Sequence, residues 1–306
     1  MRASCALGAL VRDSTARYAG PMNTAYRNAA LWMTGWLAAM LTITVAGREV
    51  GRELDVFQIM VLRSVIGFLL LWPLVRRAGG FAAMRTQRLG LHVLRNCVHY
   101  GAQFGWFAAL LLIPVAQVIA IEFTLPIWTA LFAVTLLGER FTPAKLIALA
   151  FGLIGVVVIV RPGFATVETG QLIMIAAAFG FGTSVGMTKL LTRTDSAVAI
   201  IFWMTIVQTA LGIVPALYVW RWPAAHLWPW ILVIAFCGTF SHYCYARAMQ
   251  HADATVAVPM DFLRVPLAAL LGWLVYAERV DLYTAAGAAL ILTGNLLNLG
   301  GLRRRV

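Results

Sequence analysis

The chain has 306 residues, 61% of them hydrophobic and only 12% charged, about half the charged share of a soluble domain. The apolar residues run in continuous blocks along the whole length, which excludes a soluble globular enzyme, a disordered chain and a transmembrane barrel of alternating strands. The formal net charge is +12, but the basic residues sit in short gaps between the blocks, where they set membrane topology rather than grip nucleic acid.

Residues 1–28 read as a basic cytoplasmic tail, with Met22 as a candidate true start. Ten apolar blocks follow, at about 29–47, 56–75, 90–112, 115–137, 143–160, 170–189, 197–220, 228–249, 254–276 and 281–300. Residues 301–306 form a second basic tail. Each block is long enough to cross a bilayer as a helix, so the fold expected is an all-α polytopic membrane protein with ten transmembrane helices.

An ionisable group inside a bilayer costs about 2.5–3.5 kcal/mol on insertion scales, so each one asks for a partner or a function. Block 2 carries Arg63, with no acid three or four residues away. Its partner must come from another helix, with Glu122 or a substrate as candidates. Block 3 has the most polar face. Arg95, His99 and Gln103 recur every four residues, Trp106 continues the line, and Asn96 and Tyr100 lie on the adjacent strip. This face either glues helices together or lines a cavity. Arg95 lies near a helix end and could snorkel instead.

Block 4 carries Glu122, then Pro126 and Trp128, whose ring is either an aromatic wall or core packing. Block 8 carries His242 and Tyr243, and Arg247 near its end. Block 9 carries Asp261 and, three residues on, Arg264. Pro259 and Pro266 bracket Asp261. Proline frees backbone carbonyls, which membrane helices tolerate where they line a cavity. Glu122 and Asp261 each sit about 6 Å from the middle of their spans, from opposite sides. They could hold a cationic or zwitterionic substrate, exchange a proton, or pair with arginines and fix packing. Arg264 could pair with Asp261 along its own helix or grip a substrate carboxylate.

The outer loop WRWPAAHLWPW at 220–230 suits an interfacial aromatic belt. Two GxxxG runs, Gly101–Gly105 and Gly182–Gly186, suit close helix packing. The four cysteines, at 5, 97, 237 and 244, show no metal spacing, and no two of the five histidines are four apart. There is no P-loop, HExxH or GxSxG. No metal and no cofactor is expected, and ATP does not drive this chain directly.

With a cytoplasmic N-terminus, the inner segments hold 15 lysines and arginines and the outer loops five. This bias places both termini inside. An offset of 139 residues then sets Gly138-Glu139-Arg140 over Ala277-Glu278-Arg279, Trp106 over Tyr245, Glu122 over Asp261 and Gly155 over Gly294. The chain is two copies of five spans, 29–162 and 163–300. Five is odd, so the copies are inverted. Inverted repeats suit alternating access, because exchanging the conformations of the halves exchanges the open face.

The run from Leu112-Ile113-Pro114 through Ile121-Glu122-Phe123-Thr124-Leu125-Pro126 and Leu137-Gly138-Glu139-Arg140 to Arg161-Pro162 resembles the EamA domain. The stretch from Tyr245-Ala246-Arg247-Ala248 through Ala277-Glu278-Arg279 to Gly294 is similar to its second copy. The second copy has Ala277 where the first has Gly138, and lacks a counterpart of Pro114. The resemblance implies a member of the drug/metabolite transporter superfamily, with ten helices in two inverted five-helix repeats. Such proteins move amino acids, nucleotide-like metabolites, vitamins or drugs, inward or outward.

The reading is a secondary transporter, not an enzyme, in a bacterial-type inner membrane. Its expected substrate is a small organic metabolite, zwitterionic or charged, with drug or metabolite export as the alternative. The expected partners are that solute and the lipid bilayer. Proton coupling and a homodimer are left open, and nucleic acid is excluded. A channel and a lipid-modifying enzyme are the distant rivals; short loops poor in His and Asp count against the enzyme.

Overall fold

The computed structural model describes residues 22–137, 143–162, 166–251, 261 and 263–303. Among them are eleven α-helices and two short 3-10 turns, Gly80–Met84 and Ala225–Leu227. The helices are α1 (Met22–Gly51), α2 (Val56–Arg77), α3 (Leu89–Leu112), α4 (Val115–Glu122), α5 (Leu125–Leu137), α6 (Pro143–Val160), α7 (Thr169–Leu191), α8 (Ala197–Tyr218), α9 (Trp228–His251), α10 (Arg264–Tyr276) and α11 (Leu282–Arg303). Five of these, α1, α2, α7, α8 and α9, contain stretches long and apolar enough to cross a membrane. Helix α3 has the length too, but its polar stripe dilutes its hydropathy.

Local chemistry sets the boundaries. Asp55 caps α2 by accepting the N–H of Phe57 at 2.8 Å, and Ser196 caps α8 by accepting that of Ala199 at 3.2 Å. Pro73 and Pro215 sit near the ends of those same two helices. The fourth span is broken: α4 ends at Glu122, Phe123 and Thr124 turn, and α5 begins at Leu125. Pro126 stands in the first turn of α5, where a missing N–H loses nothing. In the second half, Leu263 lies in a turn and α10 begins at Arg264.

The two halves repeat at this level. Helices α3 and α9 begin and end 139 residues apart, α5 and α10 do the same, and α6 and α11 begin 139 apart. Packing follows the same exchange. Helix α1 lies along α9 as α7 lies along α3, and α9 touches α2 as α3 touches α8. Helices α2 with α8, and α6 with α11, pair across the axis relating the halves. At the α6–α11 crossing the backbones nearly touch. A Cβ on Gly155 would stand 2.7 Å from the Gly287 carbonyl, and one on Gly287 2.5 Å from that of Gly155.

The surface is inverted relative to a soluble protein. Leu69, Leu94, Leu217, Phe236 and Leu274 are exposed, while His92, Asn96, Gln103, Gln208 and Glu122 are buried. Lipid accounts for the first set, and the bundle interior must satisfy the second.

Both ends of the bundle carry polar bridges. At one, here called the Glu278 face, Gln58 exchanges both amide hydrogen bonds with the backbone of Arg221, His226 meets Glu53 at 2.8 Å, and Arg161 lies 3.6 Å from Asp281. The exposed Trp222 and the half-exposed Trp228 and Trp230 cluster there. At the other, the Asp195 face, Trp203 donates to the Met84 carbonyl at 2.9 Å and His92 sits 3.7 Å from Asp195. Burial works against the Asp195 carboxylate, but hydrogen bonds from Thr194 and Thr86 and the nearby His92 outweigh it, holding Asp195 below the usual aspartate range.

Candidate functional site

The breaks in the fourth and ninth spans bring the two acids together. Arg264, the first residue of α10, lies 2.8 Å from Glu122 Oε1 through Nη1 and 3.4 Å from Asp261 Oδ1 through Nε. The guanidinium also lies over the Phe123 ring, 5.0 Å from its centroid. Each carboxylate accepts one indole N–H at 2.7 Å, Glu122 from Trp106 and Asp261 from Trp36. Trp36 in turn packs against Tyr245, ring centroids 5.0 Å apart. Glu122 and Arg264 are buried.

This differs from two acids standing apart on opposite sides of the midplane. One guanidinium spans the gap, because α10 starts where α4 has just ended. Two carboxylates share one arginine, so the group carries one negative charge in excess. Ions this close attract strongly once out of water, and the unmatched charge calls for a proton or a cationic group.

Glu122 is therefore taken by Arg264 and does not meet Arg63. Arg63 instead donates to Gln208 Oε1 of α8 at 3.3 Å, with its stem passing Gly238 of α9. Arg95 does not snorkel. It is buried, donating to Asn96 Oδ1 at 2.8 Å and to Thr188 Oγ1 at 3.2 Å, because α7 packs over this end of α3 with its hydroxyls facing in. Asn96 also donates to the His92 carbonyl, 2.8 Å. His99 Nδ1 meets Ser184 Oγ at 3.2 Å, and its ring lies edge-on to Phe181. Gln103 is buried one turn further on. Arg63 and Arg95 both lie within electrostatic reach of His99 and His242, so these four side chains, called here the basic group, gather in one part of the bundle.

The structure thus gathers Glu122, Asp261, Arg264 and Trp106 into an acidic group, and Arg63, Arg95, Asn96, His99 and His242 into a basic one, joined by Gln103 on the α3 stripe. It does not bring in the other two candidates. Trp128 donates to Thr124 Oγ1 at 3.1 Å and packs on Phe179 of α7. Tyr243 is 38% exposed and packs edge-on against Trp32. A cavity of about 490 Å³ lies between α1 and α9, lined by Asn28, Trp32, Gly35, Phe240, Cys244 and Arg247.

Sequence reasoning missed Trp36, Gln208 and the pair Ser184–Thr188. Gln208 was visible as a lone amide in an apolar block, and Ser184 and Thr188 as hydroxyls four apart. It also missed a bridge at the Glu278 face. Arg48 of α1 pairs with Glu278 Oε1, while Glu278 Oε2 accepts the N–H of Val115, the first residue of α4, at 2.9 Å. Arg48 also lies over the Tyr276 ring, 4.5 Å from its centroid. One carboxylate from the second half thereby ties two helices of the first. Its counterpart Glu139, like the run 252–260 that holds Pro259, lies outside the described residues.

Known proteins agree with this architecture. The EamA-like transporter family matches residues 28–161 and again 168–300. A riboflavin transporter of Brucella anthropi is 31% identical over 86% of this chain and 95% of its own length. An S-adenosylmethionine uptake transporter of Rickettsia prowazekii is 25% identical over 89% and 92%. A pseudopaline exporter of Pseudomonas aeruginosa is 27% identical over 80% and 86%. One solved crystal structure superposes on 92% of this chain and 99% of its own with a TM-score of 0.64 at 22% identity, a likeness of fold. Two family matches covering nearly the whole chain, on a ten-span bundle whose halves exchange, settle the assignment: this multi-pass membrane protein belongs to the EamA-like transporter family and moves small metabolites rather than transforming them.

Proposed function

We propose that the chain carries a charged or zwitterionic organic metabolite by alternating access, with the solute held between the repeats near the bilayer midplane. The observation that carries this reading is the Glu122–Arg264–Asp261 group. It joins the two halves at repeat-equivalent helix breaks and, among the described residues, leaves one formal negative charge unmatched. A cationic group of the solute, or a proton, balances that charge during part of the cycle. Broken helices at the midplane are where transporters of inverted-repeat design hold substrate and coupling ions.

The excess of lysine and arginine in the connections of the Asp195 face supports a reading with that face, and both termini, in the cytoplasm of a bacterial cell. The repeats are taken as 29–162 and 163–300, with basic tails at either end. The riboflavin and S-adenosylmethionine relatives favour a vitamin-like or nucleoside-like solute, and the S-adenosylmethionine relative, named for uptake, favours inward movement. The pseudopaline relative supports export as the second reading.

Counterflow in proteoliposomes tests the proposal. Vesicles are preloaded with riboflavin, with S-adenosylmethionine or with a metabolite extract, and exchanged solutes are identified by mass spectrometry. Saturable exchange that is lost in Glu122→Gln/Asp261→Asn, while the variant still folds, is the expected result. Exchange untouched by the double variant would reduce both acids to packing. Flux that neither saturates nor shows counterflow would replace the carrier with a channel.

A further inference from the structure

Among the described residues, no carboxylate balances the basic group, and neither Arg63 nor Arg95 meets one. Their partners are the neutral Gln208, Asn96 and Thr188. Both arginines are buried, 9% and 6% exposed. A buried charge without a counter-ion is expensive, and packing alone would be served as well by neutral residues.

The hydrogen-bond inventory points the same way. Gln208 spends its carbonyl oxygen on Arg63, which leaves its amide Nε2 buried and without a partner. His99 Nε2 is likewise buried and unpartnered, its other nitrogen being used by Ser184. Among the described residues Arg63 makes a single hydrogen bond, leaving most of its five donors free. One acceptor, Gln103 Oε1, is also buried and unpartnered a turn along the stripe, but the two guanidinium forks leave the group with more donors than acceptors, and positive. These residues come from α2 and α3 of the first half and from α8 of the second, and Arg63 passes over Gly238 of α9. The group therefore spans the two repeats, as the acidic group does.

We propose that Arg63, Arg95, His99 and Gln208 form a binding site for an anionic group, a carboxylate or a phosphate, on the transported solute. The inference rests on the carrier reading and adds to it the sign of the second charge. The fork of Arg63 and the amide of Gln208 supply parallel donors of the kind that planar or tetrahedral oxyanions accept. The solute then lies along the α3 stripe. Its anionic end sits at the basic group and its cationic end at Glu122 and Asp261. From His99 to Trp106 is seven residues of one helix, about 10 Å, the reach of an amino-acid- or nucleotide-sized molecule.

Two experiments on the full-length protein separate this from the carrier reading. The first is thermal unfolding in detergent, with inorganic phosphate and acetate as probes and chloride at matched ionic strength as control. Wild type gains roughly 3 °C with at least one probe. Arg63→Gln loses that gain, yet its empty form unfolds at the same or a higher temperature, because a buried charge with no described carboxylate partner is removed. Arg63→Lys keeps the charge without the fork and retains part of the gain. No gain in wild type with either anion, or an empty Arg63→Gln destabilised or unable to fold, overturns the site and makes Arg63 a strut.

The second is counterflow. Exchanged solutes carry a carboxylate or phosphate, and Arg63→Gln raises their half-saturation at least tenfold with little change in maximal rate. Exchange confined to solutes without an anionic group overturns the site and leaves the carrier standing. No exchange at all sinks the carrier, and the detergent experiment then decides the anion site by itself.

Discussion

Arg264 ties the two halves together, because it holds Glu122 across the repeat interface and Asp261 along its own chain. Truncating one partner of a buried pair strands the other, at about 3–5 kcal/mol. Glu122→Ala and Arg264→Ala should therefore each lower stability by that order in detergent unfolding, and the double variant by clearly less than their sum. Strict additivity would show that the pair does not act as a unit. The acids and Arg264 were legible in the sequence, since intramembrane charges are few. Their geometry was not: which arginine takes Glu122 depends on a helix break, and the indole that Asp261 accepts from, Trp36, reads as an ordinary apolar position. Outside the membrane the logic is simpler. Asp281 caps α11, accepting the Thr284 N–H at 2.8 Å and its hydroxyl at 3.0 Å. Burial works against that carboxylate, but these bonds and Arg161 outweigh it and hold Asp281 below the usual aspartate range. A depressed value means the cap stabilises fully above the unfolded aspartate range, near pH 4, and fades as pH falls through the folded value. Asp281→Ala should cost about 1 kcal/mol at pH 7 and less as the buffer is acidified below that range. A gap between variant and wild type that stays constant down to pH 3 would contradict it.

At the scale of elements, seven of the ten apolar blocks match single helices to within three residues, because a continuous apolar run of bilayer length has few other uses; α1 begins seven residues before its block, block 4 is split at Phe123 and Thr124, and of block 9 only residue 261 and residues 263–276 are described. The offset of 139 anticipated the equivalence of α3 with α9 and of α5 with α10. Packing was less legible. Two glycine pairs looked alike in sequence, and the structure separates them. A Cβ on Gly182 would stand 2.9 Å from the Leu125 carbonyl and 2.5 Å from Trp128 Cβ, and one on Gly186 2.3 Å from the Phe132 ring, so this strip seats α5 on α7. Gly105 meets Ala177 and Ile173 more loosely, while Gly101 has nothing within 4 Å. The spacing says that a helix can be approached closely, and only the neighbour's position says whether it is. Gly182→Ala should destabilise by about 1–3 kcal/mol, since backbone must move, and Gly101→Ala should be neutral or slightly stabilising. Equal midpoints for the two variants would remove the distinction.

For the whole molecule, alternating access requires that contacts closing one face be strong enough to hold and weak enough to open. The Glu278 clasp fits that description. Glu278 reaches Arg48 on α1 and the Val115 N–H at the head of α4, so separating the halves at this face breaks both. The turn that aims it is strained: Ala277 has φ +54°, a left-handed conformation that favours glycine, and its N–H and that of Glu278 close on Trp273 and Gly272. Charge-assisted hydrogen bonds contribute about 1.5–3 kcal/mol each, so losing the clasp should raise the population open at this face by roughly ten- to a hundredfold. Val115 is fully buried behind it and supplies the reporter. In a background with Cys5, Cys97, Cys237 and Cys244 replaced, Val115→Cys should react slowly with an impermeant maleimide. Adding Glu278→Gln keeps an acceptor for the residue-115 N–H but loses the charge, and should speed labelling modestly. Adding Glu278→Ala loses both and should speed it at least tenfold. The order alanine, glutamine, glutamate is what identifies a gate, because a merely loosened fold would expose other buried positions to the same degree. Met33, fully buried in α1 toward the opposite end, serves as that control through Met33→Cys. Equal rates at position 115 in all three backgrounds, or parallel acceleration at position 33, would deny the clasp a role in gating.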